Sequence, residues 1–234
     1  MASYFDHFIV TKIFSLYITD YFLIIISVIL IYFLVNKTLF IIPSNYQIIL
    51  EKIHNHWEIV LEENLGKEFN FLSYPLFSLF SFILGINLLG FFMFTFSPTT
   101  HISFTFGFAF FSWLGIIILG FYGYGYSYLS IFMPSGAPLS FAPLLVIIEL
   151  ASHISRPVAL GMRLAANLTA GHILLAILSD FGSKMLFISY SWYNLFPIFI
   201  IIFMIILEIG VLVIQAYVFT LLLMIYLKDS LILH

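Results

Sequence analysis

From Phe69 to Ile148 the chain contains no Asp, Glu, Lys or Arg. Over all 234 residues, 63% are hydrophobic and 8% are charged, whereas a soluble domain carries about 25% charged residues. A helix crosses a bilayer core with about 20 consecutive apolar residues. The sequence therefore predicts an all-α integral membrane protein, in which residues 1–234 form a single membrane domain of five to six helices.

Apolar segments and the breaks between them locate these helices. The predicted helices are 19–37, 43–65, 71–96, 101–122, 142–180 and 186–228. The second mixes apolar residues at helical spacing with several Glu, Lys and His, which predicts an amphipathic helix on the membrane surface or against a soluble partner. Its His54 and His56 do not share a helix face, so we expect them to face solvent and not to bind a metal.

The last two predicted helices are too long to be ordinary spans. At 1.5 Å per residue, the apolar segment Leu144–Leu178 is roughly 50 Å long, whereas the hydrocarbon core is about 30 Å thick. The helix must therefore tilt strongly or bend, and Pro157 is a candidate for the bend. Leu186–Leu227 poses the same problem, so we expect two strongly tilted helices that run antiparallel.

One arginine lies within the first of these long segments. Arg163 is charged at any physiological pH, and insertion scales put the cost of such a charge at mid-membrane at roughly 2.5–3.5 kcal/mol. An intramembrane charge indicates an ion path or a fixed counter-charge, or else it pairs with a neighbouring carboxylate and holds helices together. Ala159, Ala166 and Ala170 border Arg163, and small residues let another backbone approach closely.

Helical periodicity sorts the other polar residues of these segments into faces. Asn167 shares a stripe with Arg163, and Glu149 lies within about 40° of that stripe. His172, nine residues after Arg163, points to the opposite side. On the next helix Glu208 offers a carboxylate, and we expect it to approach His172 to direct or water-bridged hydrogen-bonding distance. The pattern predicts two polar pockets divided by a fixed cation.

Each of these residues also has a purely structural interpretation. His172 can be a hydrogen-bonded packing residue, and Asn167 can bond across helices. His153 and Arg156 lie toward one end of their helix, and we expect them to snorkel to the interface. Glu149 can lie at the interface as well. Asp229 can form an ordinary solvated pair with the adjacent Lys228.

The pattern resembles subunit a of the F-type ATP synthases. The resemblance is carried by Glu149, Arg163, Asn167, His172, Glu208, Gln215 and the C-terminal AYVFTLLLMIYLKDSLILH. It is strong from about Pro134 to His234 and weaker before that. Bacterial members exchange the acid and the imidazole between the two helices, and the order found here is similar to mitochondrial members. The resemblance therefore implies a multi-pass protein of the mitochondrial inner membrane.

The resemblance also implies a function and the roles of single residues. It implies a non-catalytic stator subunit that forms the proton channel, while ATP chemistry is done by the soluble head. Arg163 would face the carboxylates of a rotating ring of c subunits and prevent a short circuit between two offset half-channels. On the proton-rich side the path would use His172, Glu208, Asn167 and Gln215. On the exit side it would use Glu149 and Asp229.

The partners implied are the c-ring proteolipids, other stator and membrane subunits of the synthase, and the lipid bilayer. No cofactor and no nucleic acid are expected. Two rival classes make different demands. A haem-bearing electron carrier needs His residues facing each other across helices, but His153 and His172 lie on one segment. A secondary transporter usually shows internal repeats, and the halves of this chain show no self-similarity.

Overall fold

The computed structural model describes residues 12–13, 16–17, 24–29, 32, 45–92, 98–133, 141–188 and 195–231. Its long helices are α1 (Asn45–Leu65), α2 (Ser73–Phe92), α3 (Ile102–Tyr124), α4 (Ala142–Ile188) and α5 (Leu195–Leu231). Short 3₁₀ segments cover Lys67–Leu72, Pro98–Thr100 and Gly125–Phe132. Two-residue strands, β1 (Lys12–Ile13) and β2 (Leu16–Tyr17), pair antiparallel. Residues 24–29 are helical; apart from Tyr32, the rest of the predicted span 19–37 lies outside the described residues.

The prediction of an all-α membrane protein is confirmed. Within the described ranges, four helical stretches are long and apolar enough to cross a membrane. They are Lys67–Phe91, Ile102–Phe132, Ala142–Lys184 and Pro197–Leu231. Because the structure contains no bilayer, the strong tilt of the last two stays a prediction.

Two of the helices end at a glycine with positive φ. Gly66 follows α1 at φ 87° and Gly125 follows α3 at φ 57°, and each donates its N–H to the carbonyl four residues earlier. This left-handed conformation after a helix favours glycine. The chain after Gly125 folds back so that the ring of Tyr128 lies directly against Gly120, where any side chain would overlap it.

The amphipathic helix α1 packs on α2 and α5. Trp57, Leu61 and Leu65 form its buried stripe, while Lys52 and Glu63 are exposed on its other side. Leu61 and Leu65 join the main hydrophobic core, whose other members come from the 3₁₀ segment Lys67–Leu72 and from α2, α3, α4 and α5. The apolar periodicity of this segment therefore marks a face that is covered by the chain's own membrane helices.

The expectation that His54 and His56 face solvent is wrong for His54. The His54 ring lies 4.8 Å from the ring of Tyr74 and 5.4 Å from that of Phe77. His56 is exposed, but its Nε2 lies 3.3 Å from the hydroxyl of Tyr217 on α5. Tyr74 and Phe77 of α2 contact His54, and Tyr217 of α5 contacts His56. Both imidazoles therefore help to hold α1 against these helices.

Helices α4 and α5 pack antiparallel, as expected. Successive contacts move toward the C-terminus of α4 and toward the N-terminus of α5. The pairing of residues changes little along the part where the two helices touch. The meeting pairs are Arg156 with Asp229, Asn167 with Gln215, Gly171 with Glu208, and Gly182 with Pro197. The polar residues of the two helices are therefore brought together by a single continuous contact.

The boundary between the two long helices differs from the prediction. Residues 186–188, predicted to begin the last helix, still belong to α4, and α5 begins at Leu195. The apolar residues after Lys184 continue α4 because nothing in them breaks a helix. Pro197 lies in the first turn of α5, where the missing N–H of proline costs no hydrogen bond. Residues 189–194 lie outside the described part.

The register of the helix pair can be tested by cross-linking. A Cβ at Gly182 would lie 3.5 Å from the Cβ of Pro197, which is within the range of about 3.5–4.5 Å found in disulfides. The chain has no cysteine, so Gly182→Cys combined with Pro197→Cys is expected to oxidise to an internal disulfide, measured as loss of free thiols by mass spectrometry. The control pair is Gly182→Cys with Ile198→Cys, whose side chain leaves the helix in another direction. Equal oxidation of both pairs would contradict the register.

Candidate functional site

Arg163 presents its charge outward from the helix pair. Its side chain is exposed, and it makes no hydrogen bond or ion pair with any residue in the part of the chain that the structure describes. Ala159, Ala166 and Ala170 are exposed beside it. We call these four residues the arginine face. The alternative that Arg163 pairs with a carboxylate of its own chain finds no support in this geometry.

The inner side of α4 at the same level is apolar. Leu160, Leu164 and Leu168 are 3%, 1% and 3% exposed. Leu212 and Phe219 of α5 are buried in the same region. In the part of the chain that the structure describes, this apolar layer offers Arg163 no carboxylate that would draw the guanidinium into the protein.

A hydrogen bond joins the two long helices one turn beyond Arg163. The Nδ2 of Asn167 donates to the Oε1 of Gln215 over 2.9 Å, and Gln215 is 5% exposed. For the buried Gln215 this bond replaces contacts with water that the amide cannot make inside the protein. We call this bond the amide bridge. It lies between the arginine face and His172 along α4.

His172 and Glu208 meet beyond this bridge. The Nδ1 of His172 lies 3.8 Å from the Oε1 of Glu208, which is an ion-pair contact rather than a direct hydrogen bond. Glu208 is 5% exposed, and neither carboxylate oxygen receives a hydrogen bond from the described residues. The carboxylate fits because residue 171 is a glycine: a Cβ there would lie 2.9 Å from Oε1. The lone pairs of this buried carboxylate are therefore available to accept a proton.

A second group of titratable residues lies at the other end of the contact. Arg156 Nη1 is 3.1 Å from Asp229 Oδ2, and its guanidinium carbon is 5.0 Å from the centre of the Tyr226 ring. Glu149 and His153 precede Arg156 on α4. We call Glu149, His153, Arg156 and Asp229 the outer cluster. The predicted snorkelling of Arg156 to the interface leaves out these contacts: α5 provides a carboxylate and an aromatic ring for the guanidinium, which the sequence of α4 cannot reveal.

The two groups are well separated. Between Arg156 and His172 the helix α4 rises about 24 Å. The apolar layer, the arginine face and the amide bridge lie between these two positions. Two sets of titratable side chains are thus kept apart within one pair of helices, with an exposed cation between them.

The chain matches the profile of the ATP synthase A chain family over residues 16–228. It is 42% identical to ATP synthase subunit a of Metridium senile, in an alignment that covers 100% of this chain and 99% of that protein. The family profile includes all of α4 and all of α5 except its last three residues, and the Metridium alignment includes both helices completely.

The amide bridge generates a prediction about stability. Gln215 is buried and Asn167 is exposed, so Asn167→Leu leaves a buried amide without its partner and is expected to lower the stability of the helix pair by about 1 kcal/mol. Gln215→Leu leaves an exposed amide and should cost less. The double variant removes both amides and should recover much of this loss. The measurement is thermal unfolding of the purified protein in detergent, followed by circular dichroism. Strictly additive losses in the double variant would contradict a direct bond between the two side chains.

Proposed function

The chain belongs to the ATP synthase A chain family, and on that premise we propose a path for protons through the α4–α5 pair. Members of this family form the proton-channel stator subunit of the membrane part of the synthase, and they work with its other subunits without making ATP themselves. The chain acts as a multi-pass protein of the mitochondrial inner membrane, a location supported by the order of His172 and Glu208 along the chain.

The inlet of the path uses His172 and Glu208. A proton arriving from the proton-rich side binds at this pair, because an imidazole with an unperturbed pKa of about 6.5 can exchange protons near neutrality. The buried, unbonded oxygens of Glu208 support this role. Asn167 and Gln215 hold the two helices together beside the inlet and provide polar atoms toward the arginine face.

The proton then passes to a carboxyl group of a ring of proteolipid c subunits. Once protonated, that carboxyl group can move into lipid without the cost of a buried charge. After nearly a full turn of the ring it reaches the outer cluster and ionises, and the proton leaves by way of Glu149 and Asp229. The membrane potential contributes about 2.3 kcal/mol per proton for each 100 mV.

Arg163 separates the two halves of the path. Its charge attracts the ionised ring carboxylate and repels a proton that would pass directly from inlet to outlet. The observation that carries the proposal is the arginine face: the cation is exposed, unpaired within the described residues, and bordered by alanines. A bare cation on a strip of small residues fits a helical partner that carries a negative charge and approaches closely.

Replacing Arg163 tests the proposal. Arg163→Ala is expected to abolish ATP synthesis driven by a proton gradient, because nothing then attracts the ring carboxylate or blocks a direct passage. Arg163→Lys should fail similarly, since a desolvated ammonium can lose its proton whereas a guanidinium effectively cannot. The measurements are gradient-driven ATP synthesis and passive proton conductance of vesicles containing the synthase, together with recovery of the c subunits as a check on assembly.

The matched control is Lys184→Ala, which removes one exposed positive charge near the other end of α4. It should synthesise ATP at the wild-type rate. Coupled synthesis at the wild-type rate in Arg163→Ala would show that the charge is dispensable and that this proposal is wrong.

The close fit at Gly171 gives a prediction for the inlet. Gly171→Ala places a methyl group 2.9 Å from Glu208 Oε1 and 3.3 Å from its Cδ, so the carboxylate must move relative to His172. Coupled ATP synthesis should fall by at least about fivefold, because misplacing a reacting group by an ångström costs up to about 100-fold. Gly107→Ala on α3, with no atom within 4 Å of the new Cβ, is the control. Equal rates in both variants would remove His172 and Glu208 from the path.

A further inference from the structure

His153 is a buried histidine that the proposed path does not require. It is 8% exposed and lies four residues after Glu149 and three residues before Arg156. Residues at these spacings are neighbours on one helix face. His153 therefore lies between a carboxylate and a guanidinium on the side of α4 that turns toward α5.

The surroundings of His153 come from three elements. Glu149 and Arg156 on α4, and Asp229 on α5, all lie within electrostatic reach of its ring. The ring of Phe132, from the 3₁₀ segment Gly125–Phe132, covers it at a centroid distance of 5.5 Å. The same segment contributes the buried Tyr128, whose phenol interacts electrostatically with Arg156. The buried imidazole is thus covered by the ring of Phe132 and lies within electrostatic range of two carboxylates, one on its own helix and one on α5.

The imidazole of His153 can exchange protons with acidic groups on both of its sides. It can accept a proton on one ring nitrogen and release a proton from the other, and its unperturbed pKa of about 6.5 lies close to physiological pH. Since Arg156 is already bound to Asp229 at 3.1 Å, one of the two negative charges beside the histidine is offset. The ring can then be protonated transiently without leaving a fixed excess of charge in the cluster.

We propose that His153 relays protons between Glu149 and Asp229 in the exit path; the inference rests on the proposed function. The carboxyl group of one acid transfers its proton to the free ring nitrogen, which forms an imidazolium and a carboxylate. The proton on the other ring nitrogen then moves to the carboxylate of the second acid. One proton enters and one leaves, and the neutral ring is regenerated as the other tautomer.

Two substitutions of His153 separate a relay from a packing role. His153→Gln keeps hydrogen-bonding groups of similar size but cannot take up a proton near neutrality, and His153→Leu removes the polarity. In the complete synthase reconstituted in sealed vesicles, both variants are expected to assemble. Both should lower gradient-driven ATP synthesis at least about fivefold, because a positioned acid–base group contributes typically 10²–10⁴-fold. Both should also flatten the dependence of the rate on exit-side pH, because the variant side chains do not titrate there.

The control for loss of an imidazole is His56→Gln on α1, which should keep the wild-type rate and pH profile. A wild-type rate and pH profile in His153→Gln would overturn the relay, whether or not His153→Leu assembles. Glu149→Gln and Asp229→Asn distinguish a failure of the His153 relay from a failure of the whole exit path. If they abolish coupled synthesis while His153→Gln does not, only the relay fails. If both acids are also dispensable, the exit path of the proposed function fails with it.

Discussion

A polar side chain that is buried in a bilayer has to find its partner inside the protein, and here the partners lie on the neighbouring helix. The ion pair Arg156–Asp229 and the hydrogen bond Asn167–Gln215 connect α4 and α5 at different heights of one antiparallel contact. Together they fix one register for the helix pair, and in that register Glu208 of α5 lies 3.8 Å from His172 of α4. The placement of Glu208 and the outward direction of Arg163 both follow from that register.

The contrast between two arginines shows how the neighbouring helix decides the role of a charge. Arg156 and Arg163 are seven residues apart on one stripe of α4. The end of α5 offers Asp229 to the first, whereas residues 216–223, which face the following turns, contain no charged residue. The first arginine is consequently paired within the chain, and the second keeps an unpaired charge on the exposed side of α4 within the described residues.

Much of this arrangement could be predicted from the sequence, and the part that could not depends on contacts between helices. The length of the apolar segments predicts the long helices, and the 100° period predicts that Arg163 and His172 point apart. No period within α4 reveals that Asp229 meets Arg156 or that Phe132 covers His153, because these contacts arise only when separate segments dock. The sequence predicts too early a start for α5 because the residues after Lys184 are apolar enough to belong to either helix.

The shared register of α4 and α5 has a consequence for how such a chain can change in evolution. Substituting one residue alters one contact, but inserting or deleting one residue between Arg156 and His172 rotates everything beyond it by about 100° and shifts it by about 1.5 Å. The direction of Arg163 would then change relative to either the outer cluster or the pair of His172 and Glu208, depending on which side of Arg163 the insertion or deletion lies. The sequence of this stretch is therefore freer to vary than its length, and the spacing of the polar residues is the property that selection must preserve.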